Sequence, residues 1–169
     1  PFFLLLSLLL IFFIKFERMK SNVSDEEIKS PLIGKSFPKI NIVEFGKIKN
    51  IDFNKYKNKN FAINFFASWC LPCKIEAPLL NELSSKIDII GISYKDNKTG
   101  MVDFLKNYGN PYKQIGIDKS GSIAIEWGVY GVPETFIINN NGNIIFKHTG
   151  PINHDNLNNK IIPLISKND

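Results

Sequence analysis

Phe61-Ala62-Ile63-Asn64-Phe65-Phe66-Ala67-Ser68-Trp69-Cys70-Leu71-Pro72-Cys73 is the stretch that decides the fold. Its first six residues are apolar except for one Asn and predict a buried strand. Its last four hold the chain's only two cysteines, in C-x-x-C spacing. The residues that follow, through Leu83, predict a helix with Ile75, Leu79, Leu80 and Leu83 on one face. Pro78 lies inside that helix and is expected to kink it. Two sulfurs at this spacing make and break a disulfide with little backbone movement. A C-x-x-C between a strand and a helix is therefore a redox signature.

The chemistry follows from position. Cys70 is expected at the helix N-terminus, where unpaired N–H groups and the helix dipole stabilise a thiolate. It is the candidate attacking sulfur. Cys73, one turn inside, is the candidate resolving sulfur. Leu71 and Pro72 tune the reduction potential. Other uses of the cysteines fit less well. Zinc needs about four ligands, and His148 and His154 are not spaced as a ligand pair, so no metal is expected. A purely structural disulfide across two residues closes almost no loop and adds little stability. Haem attachment needs His after the second cysteine, and Lys74 stands there.

Outward from this stretch, the pattern alternates strand and helix. Ile87 to Ser93 is β-branched and apolar, a second buried strand. Met101, Phe104, Leu105 and Tyr108 keep the i, i+3, i+4, i+7 spacing of a helix. Gln114 to Asp118 predicts a short strand and Ser122 to Trp127 a short helix. Thr135 to Ile138 and Asn143 to His148 read as strands joined by Asn139-Asn140-Asn141-Gly142, a hairpin turn. Asn156 to Ile165 closes the chain as a helix. On the other side, Ile40, Ile42 and Phe45 suggest short strands within residues 37–53. The expected class is α/β: a mixed central sheet with helices on both faces and an N-terminal extension.

The chain has 169 residues, 44% hydrophobic and 12% aromatic, enough for one domain plus an appendage. Its net charge of +5 comes with no dense Lys/Arg stripe, so no nucleic-acid partner is expected. Residues 1–14 are apolar except for Ser7 and read as a membrane anchor, truncated at its start. As a helix they would reach roughly 21 Å, short of a ~30 Å hydrocarbon core. A cleaved signal peptide and a buried core helix are the competing readings; no small-x-small cleavage site follows the run. Residues 15–30 read as a juxtamembrane linker and 31–169 as the folded domain. Lys15, Arg18 and Lys20 follow the apolar run, and the positive-inside rule would keep that side cytoplasmic.

A second element is Gly131-Val132-Pro133-Glu134-Thr135, just before a strand. In a thioredoxin-like fold the proline here is cis and lies against the C-x-x-C. Val132 would then pair its backbone with an extended substrate peptide. An ordinary trans proline at a strand start is the plain alternative. Thiol exchange also moves protons. Asn64 occupies the place of a buried Asp in thioredoxin, and Asn cannot take a proton. Glu76, one turn after Cys73, is the candidate proton acceptor, its pKa raised by partial burial. Glu134 is a second candidate. A solvated glutamate paired with Lys74 or Lys86 is the alternative for Glu76.

Together these residues resemble a known family. Asn64 to Cys73 with Glu76 and Pro78, Gly91-Ile92-Ser93-Tyr94-Lys95-Asp96, Gly109-Asn110-Pro111-Tyr112, and Glu126-Trp127-Gly128-Val129-Tyr130-Gly131-Val132-Pro133-Glu134-Thr135-Phe136 are similar to the membrane-anchored thioredoxin-like proteins of bacterial cytochrome c maturation, the CcmG/DsbE type. The resemblance covers roughly residues 31–165. Phe66 departs from the Trp of many members. The resemblance implies a single-pass inner-membrane protein with its domain in the periplasm, opposite to the side the basic flank favours. It implies a thiol:disulfide oxidoreductase with no cofactor beyond its redox-active disulfide, Cys70–Cys73. Electrons would come from a membrane thiol transporter and pass to apocytochrome c or a haem-ligation protein. Cys70, Cys73 and Glu76 match the family's catalytic positions. Trp69, Val132, Pro133 and Glu134 are the expected substrate-binding residues. The rivals are a reductase for another periplasmic target, such as a copper-site protein, and a non-catalytic binding module. A peroxidase needs a Pro-x-x-x-Thr-x-x-Cys setting, which is absent.

Overall fold

The computed structural model describes residues 7–15 and 30–166. Five strands form one sheet: β1 Phe61–Phe66, β2 Asp88–Tyr94, β3 Tyr112–Asp118, β4 Glu134–Ile138 and β5 Ile144–Thr149, in the order β3-β2-β1-β4-β5. β1 runs parallel to β2, and β2 to β3; β4 and β5 join antiparallel. Helices α1 Leu71–Leu83, α2 Lys98–Tyr108, α3 Ser122–Glu126 and α4 Ile162–Ser166 cover the faces. The fold is thioredoxin-like, with the mixed sheet and two-faced helix cover that the pattern predicts.

β1 is central, so all six of its residues are buried. Its alternation sorts them to two cores. Ala62 and Phe66 point to the core under α1 and α2, with Leu80, Leu83, Met101 and Phe104. Phe61, Ile63 and Phe65 point to the other core, with Ile40, Ile42, Trp127 and Phe136. Asn64, between Ala62 and Phe66 in the alternation, therefore faces α1.

Four details depart from expectation. The buried residues of α1 are Cys73, Glu76, Ala77, Leu80 and Leu83. Ile75 is 64% exposed and Leu79 only partly covered, so the inward stripe begins one position later than the apolar residues suggested. Residues 37–53 form no strand. They make single bridges, Val43 with Asn50 and Glu44 with Gly116, and a 3-10 turn at Phe53–Tyr56 follows. Gly46 bends the chain at φ 77°, and the segment packs through separate anchors: Ile40, Ile42 and Ile51. The closing helix includes a π-helical stretch, Asn156–Ile161, before α4. The strands β2, β3, β4 and β5 begin or end a residue or two away from their predicted limits, within ordinary scatter.

The hairpin turn forms as read. Asn139 Oδ1 accepts from the Asn141 and Asn143 N–H groups, and Gly142 takes a left-handed φ of 79°. Most of the expected anchor and linker, residues 1–6 and 16–29, lies outside the described residues. Residues 7–15 are helical, with exposed side chains from Leu8 to Ile14. Among the described residues no helix is long and apolar enough to cross a membrane.

Candidate active site

Cys70 is the N-cap of α1 and is disulfide-bonded to Cys73. The Cys73 N–H donates to Cys70 Sγ at 3.1 Å. The sulfur thus occupies the place where an oxygen usually caps a helix. The same N–H would meet a Cys70 thiolate after reduction, together with the positive end of the helix dipole. Pro72 removes one donor from this first turn at no cost, because that N–H has no helical partner. Both cysteines are buried, Cys70 at 4% exposure and Cys73 at 1%, while Trp69 and Leu71 beside them stand out at 58% and 66%.

The loop carrying Trp69 and Cys70 is fastened from below by Asp96, which lies just beyond β2. Asp96 accepts from the Ser68 N–H and Ser68 Oγ, both at 2.7 Å, from Ser93 Oγ at 2.9 Å and from the Asn97 N–H at 2.8 Å. Four donors on one carboxylate hold two sheet-end loops together. The Trp69 indole N–H donates to the Lys95 carbonyl at 3.4 Å.

Opposite the disulfide runs the loop from Gly128 to Pro133. The Val132–Pro133 peptide bond is cis, as the thioredoxin-like reading expects, and Pro133 is buried. Cys70 Sγ lies 3.4 Å from the Val132 carbonyl oxygen. Val132 is half-buried and Tyr130 is 69% exposed. Glu134 sits behind this loop. Its side chain is fully buried, accepts from the Tyr130 N–H at 2.9 Å and pairs with Lys147 Nζ at 2.8 Å. The substrate-binding role expected for Glu134 would therefore be exerted through the loop and not by side-chain contact.

Beneath the disulfide is a polar cluster in an apolar core. Glu76 projects from α1 with no exposed surface. Its Oε1 accepts from Asn64 Nδ2 at 3.1 Å and its Oε2 from the Ile152 N–H at 3.0 Å. Burial pushes its carboxyl up from 4.5 to about 7, and the Ile152 and Asn64 donors hold it back. The solvated pairing with Lys74 or Lys86 does not occur. Asn64 is itself pinned. Tyr112 Oη donates to its Oδ1 at 2.8 Å, and its amide also donates to Thr135 Oγ1 at 3.0 Å. A carboxylate only accepts, so the Asn64 NH2 faces it, and the Tyr112 hydroxyl donates on the carbonyl side. Burial raises the Tyr112 phenol well above its ordinary value, and the Glu76 charge adds to this.

The sheet makes room for this cluster. Gly91, Asn64 and Thr135 are register partners across β2, β1 and β4. The Tyr112 ring lies over Gly91, stacked on Phe66 with centroids 4.6 Å apart. A Cβ on Gly91 would sit 2.9 Å from that ring. Only glycine lets the phenol reach across to Asn64.

Comparison with known proteins finds relatives along most of the chain. The Redoxin family model matches residues 32–161. DsbE of Yersinia pestis, a thiol:disulfide interchange protein, is 33% identical over 170 residues, covering 99% of this chain and 90% of the relative. The chain belongs to the Redoxin family, among the DsbE-type thiol:disulfide interchange proteins. The thiol:disulfide interchange protein CycY of Rhizobium leguminosarum is 44% identical over 107 residues, 62% of this chain. That match spans only 58% of CycY's own length. The thioredoxin domain of a thiol-disulfide oxidoreductase from Bacteroides vulgatus superposes with a TM-score of 0.67 at 18% identity, covering 80% of this chain and 99% of that one. That likeness speaks to the fold alone.

Within this Redoxin-family frame, four residues had no role in the sequence reading. No local pattern marks Asp96, Tyr112 or Lys147 as part of the site, and Asn64 reads only as a residue that cannot carry a proton. Each acts through a partner far away in sequence. The available signal was polarity inside apolar strands: Asn64 in β1 and Lys147 in β5.

Proposed function

We propose that the chain is a membrane-anchored periplasmic reductant of cytochrome c maturation, acting by dithiol–disulfide exchange. The observation that carries this reading is the surroundings of Cys70 Sγ: the Cys73 N–H at 3.1 Å on one side and the Val132 carbonyl at 3.4 Å on the other. A thiolate stabilised at a helix N-terminus faces a backbone edge that can align an extended polypeptide. Membership of the DsbE-type proteins supports the same chemistry.

In the forward reaction the Cys70 thiolate attacks one sulfur of a substrate disulfide. An intermolecular disulfide forms and the other substrate sulfur leaves as a thiolate. Cys73 then gives its proton to the Glu76 carboxylate and attacks Cys70 Sγ. The Cys70–substrate bond breaks, the two substrate sulfurs take one proton back from Glu76 and one from solvent to leave as a dithiol, and the Cys70–Cys73 disulfide remains. A membrane thiol transporter restores the dithiol. Trp69 and Val132 meet the substrate, Pro133 sets the backbone beside the sulfur, and Glu134 holds the loop from behind. Residues 1–14 anchor the protein in the inner membrane, 15–30 link, and 31–169 form the periplasmic domain. The substrate is apocytochrome c or a haem-ligation protein.

The test is capture in the native host with Cys73→Ala, which stalls exchange at the mixed disulfide on Cys70. Apocytochromes c or haem-ligation components are the expected catch. Diverse periplasmic proteins, or a copper-site protein, would make the chain a reductase of wider or other use. No catch, with function retained in Cys70→Ser, would leave a binding module.

A further inference from the structure

Lys147 is a lysine on the core side of an edge strand. A register shift between Ile137 and Ile138 sets this arrangement. Ile138 pairs with Ile144 and Ile137 with Phe146, so Ile145 is the extra residue. The register then places Lys147 opposite Phe136 and on its face, the face that Glu134 shares two residues away. The ammonium is almost wholly enclosed, at 3% exposure for the residue.

Its contacts converge on one loop. Lys147 Nζ donates to the Gly128 carbonyl at 2.7 Å and pairs with Glu134 Oε2 at 2.8 Å. It lies 4.6 Å from the Tyr130 ring centroid and 5.3 Å from that of Phe136. The other oxygen of Glu134 accepts from the Tyr130 N–H. At the far end the Gly150 N–H donates to the Pro133 carbonyl at 2.9 Å. The segment from Gly128 to Pro133 is thus held at its start, middle and end, and Val132 projects between the last two ties.

A buried ion pair is a poor device for stability. Desolvation of the two charges offsets most of their attraction, and apolar replacements are often no worse. What the pair supplies here is a fixed position for two backbone groups. An inward charge on an edge strand also guards against edge-to-edge association, but that role needs neither the Gly128 carbonyl nor the Tyr130 ring.

We infer that the Glu134–Lys147 pair is the internal brace of the substrate-aligning loop, with Lys147 a positioning residue for disulfide-bearing polypeptides. The inference rests on the reductase reading above. A loop ordered before binding loses less entropy when a polypeptide pairs with it. Without the brace the loop must be ordered by the substrate, which weakens binding more than it slows exchange.

The experiment uses the full chain, a chemical dithiol as electron source, and a synthetic peptide closed by an internal Cys-Ala-Ala-Cys disulfide. Lys147→Met is expected to raise KM about tenfold, with kcat changed by less than about twofold. Lys147→Arg, which keeps the charge and the donors, is expected to recover most of the loss. Amide exchange at Tyr130 is expected to quicken in Lys147→Met. If that variant fails to fold, the double variant Glu134→Gln with Lys147→Met removes both charges and carries the same expected rise in KM. An unchanged KM in whichever of these variants folds overturns the inference and leaves the reductase reading intact. A wild-type chain that cannot reduce the peptide overturns both.

Discussion

Glu76 is a carboxyl group placed where water does not reach, and its two donors do not restore what burial removes. Its folded pKa of about 7 stands above its ordinary 4.5. The folded state therefore holds a proton that the unfolded state releases between those values. Stability from this group is full below about pH 4.5 and is lost as pH rises through about 7, on the order of 3 kcal/mol in all. Urea titrations of the oxidised protein at pH 4.5 and pH 8 are expected to show that fall in the wild type. Glu76→Gln should lack the slope, although its amide cannot accept from both Asn64 and Ile152 and will cost stability at every pH. In catalysis the sign is opposite. In the proposed mechanism only the carboxylate can take the Cys73 proton, so the resolving step should quicken as pH rises through about 7. In Glu76→Gln that inflection should vanish; a retained inflection in stopped-flow exchange would assign it to another group. Of this cluster the sequence revealed Glu76, because its distance from Cys73 is one helical turn. Its partners were not legible. Asn64 meets Tyr112 and Thr135 across 48 and 71 residues of chain, and nothing local marks such pairs.

At the scale of elements, α1 shows how a buried charged residue misleads pattern reading. Its apolar residues suggested one inward stripe, yet a charged residue occupies the core-facing row and Ile75 faces solvent. The helix itself, β1, the hairpin and the order of elements were plain, because apolar runs and turn residues encode them locally. Residues 37–53 were not, since their apolar residues anchor one at a time and no periodic pairing lies behind them. The crossing of Tyr112 over β2 belongs to this scale too. Gly91→Ala would drive a Cβ to 2.9 Å from the Tyr112 ring and 3.0 Å from Phe66, two rings stacked in the core with little room to yield. A loss of about 1–3 kcal/mol is expected, read from the urea midpoint. Tyr112 would also lose its hold on Asn64, so the pH dependence of exchange should shift in the same variant. A variant as stable as the wild type would mean that the rings move apart freely.

For the whole molecule, two cores separated by one sheet divide the work. One packs α1 and α2 over the polar cluster, and the other joins residues from Ile40 onward to the face that carries Trp127. Neither includes residues 7–15, whose large apolar side chains are at least half exposed. A chain begun at Ser30 is therefore expected to melt cooperatively within a few degrees of the full chain and to keep peptide reduction. A broad or much lower transition would show that the earlier residues support the fold. The order of the strands has a consequence for the protein's synthesis. β1, with the two cysteines directly after it, emerges early, whereas its antiparallel neighbour β4 follows only after β2, α2, β3 and α3. A nascent chain thus presents both sulfurs long before the Val132 carbonyl that lies beside Cys70 in the folded protein. During that interval the two sulfurs stand without the cis-Pro133 loop opposite them, and that wall of the site is complete only when the last hairpin closes on the sheet.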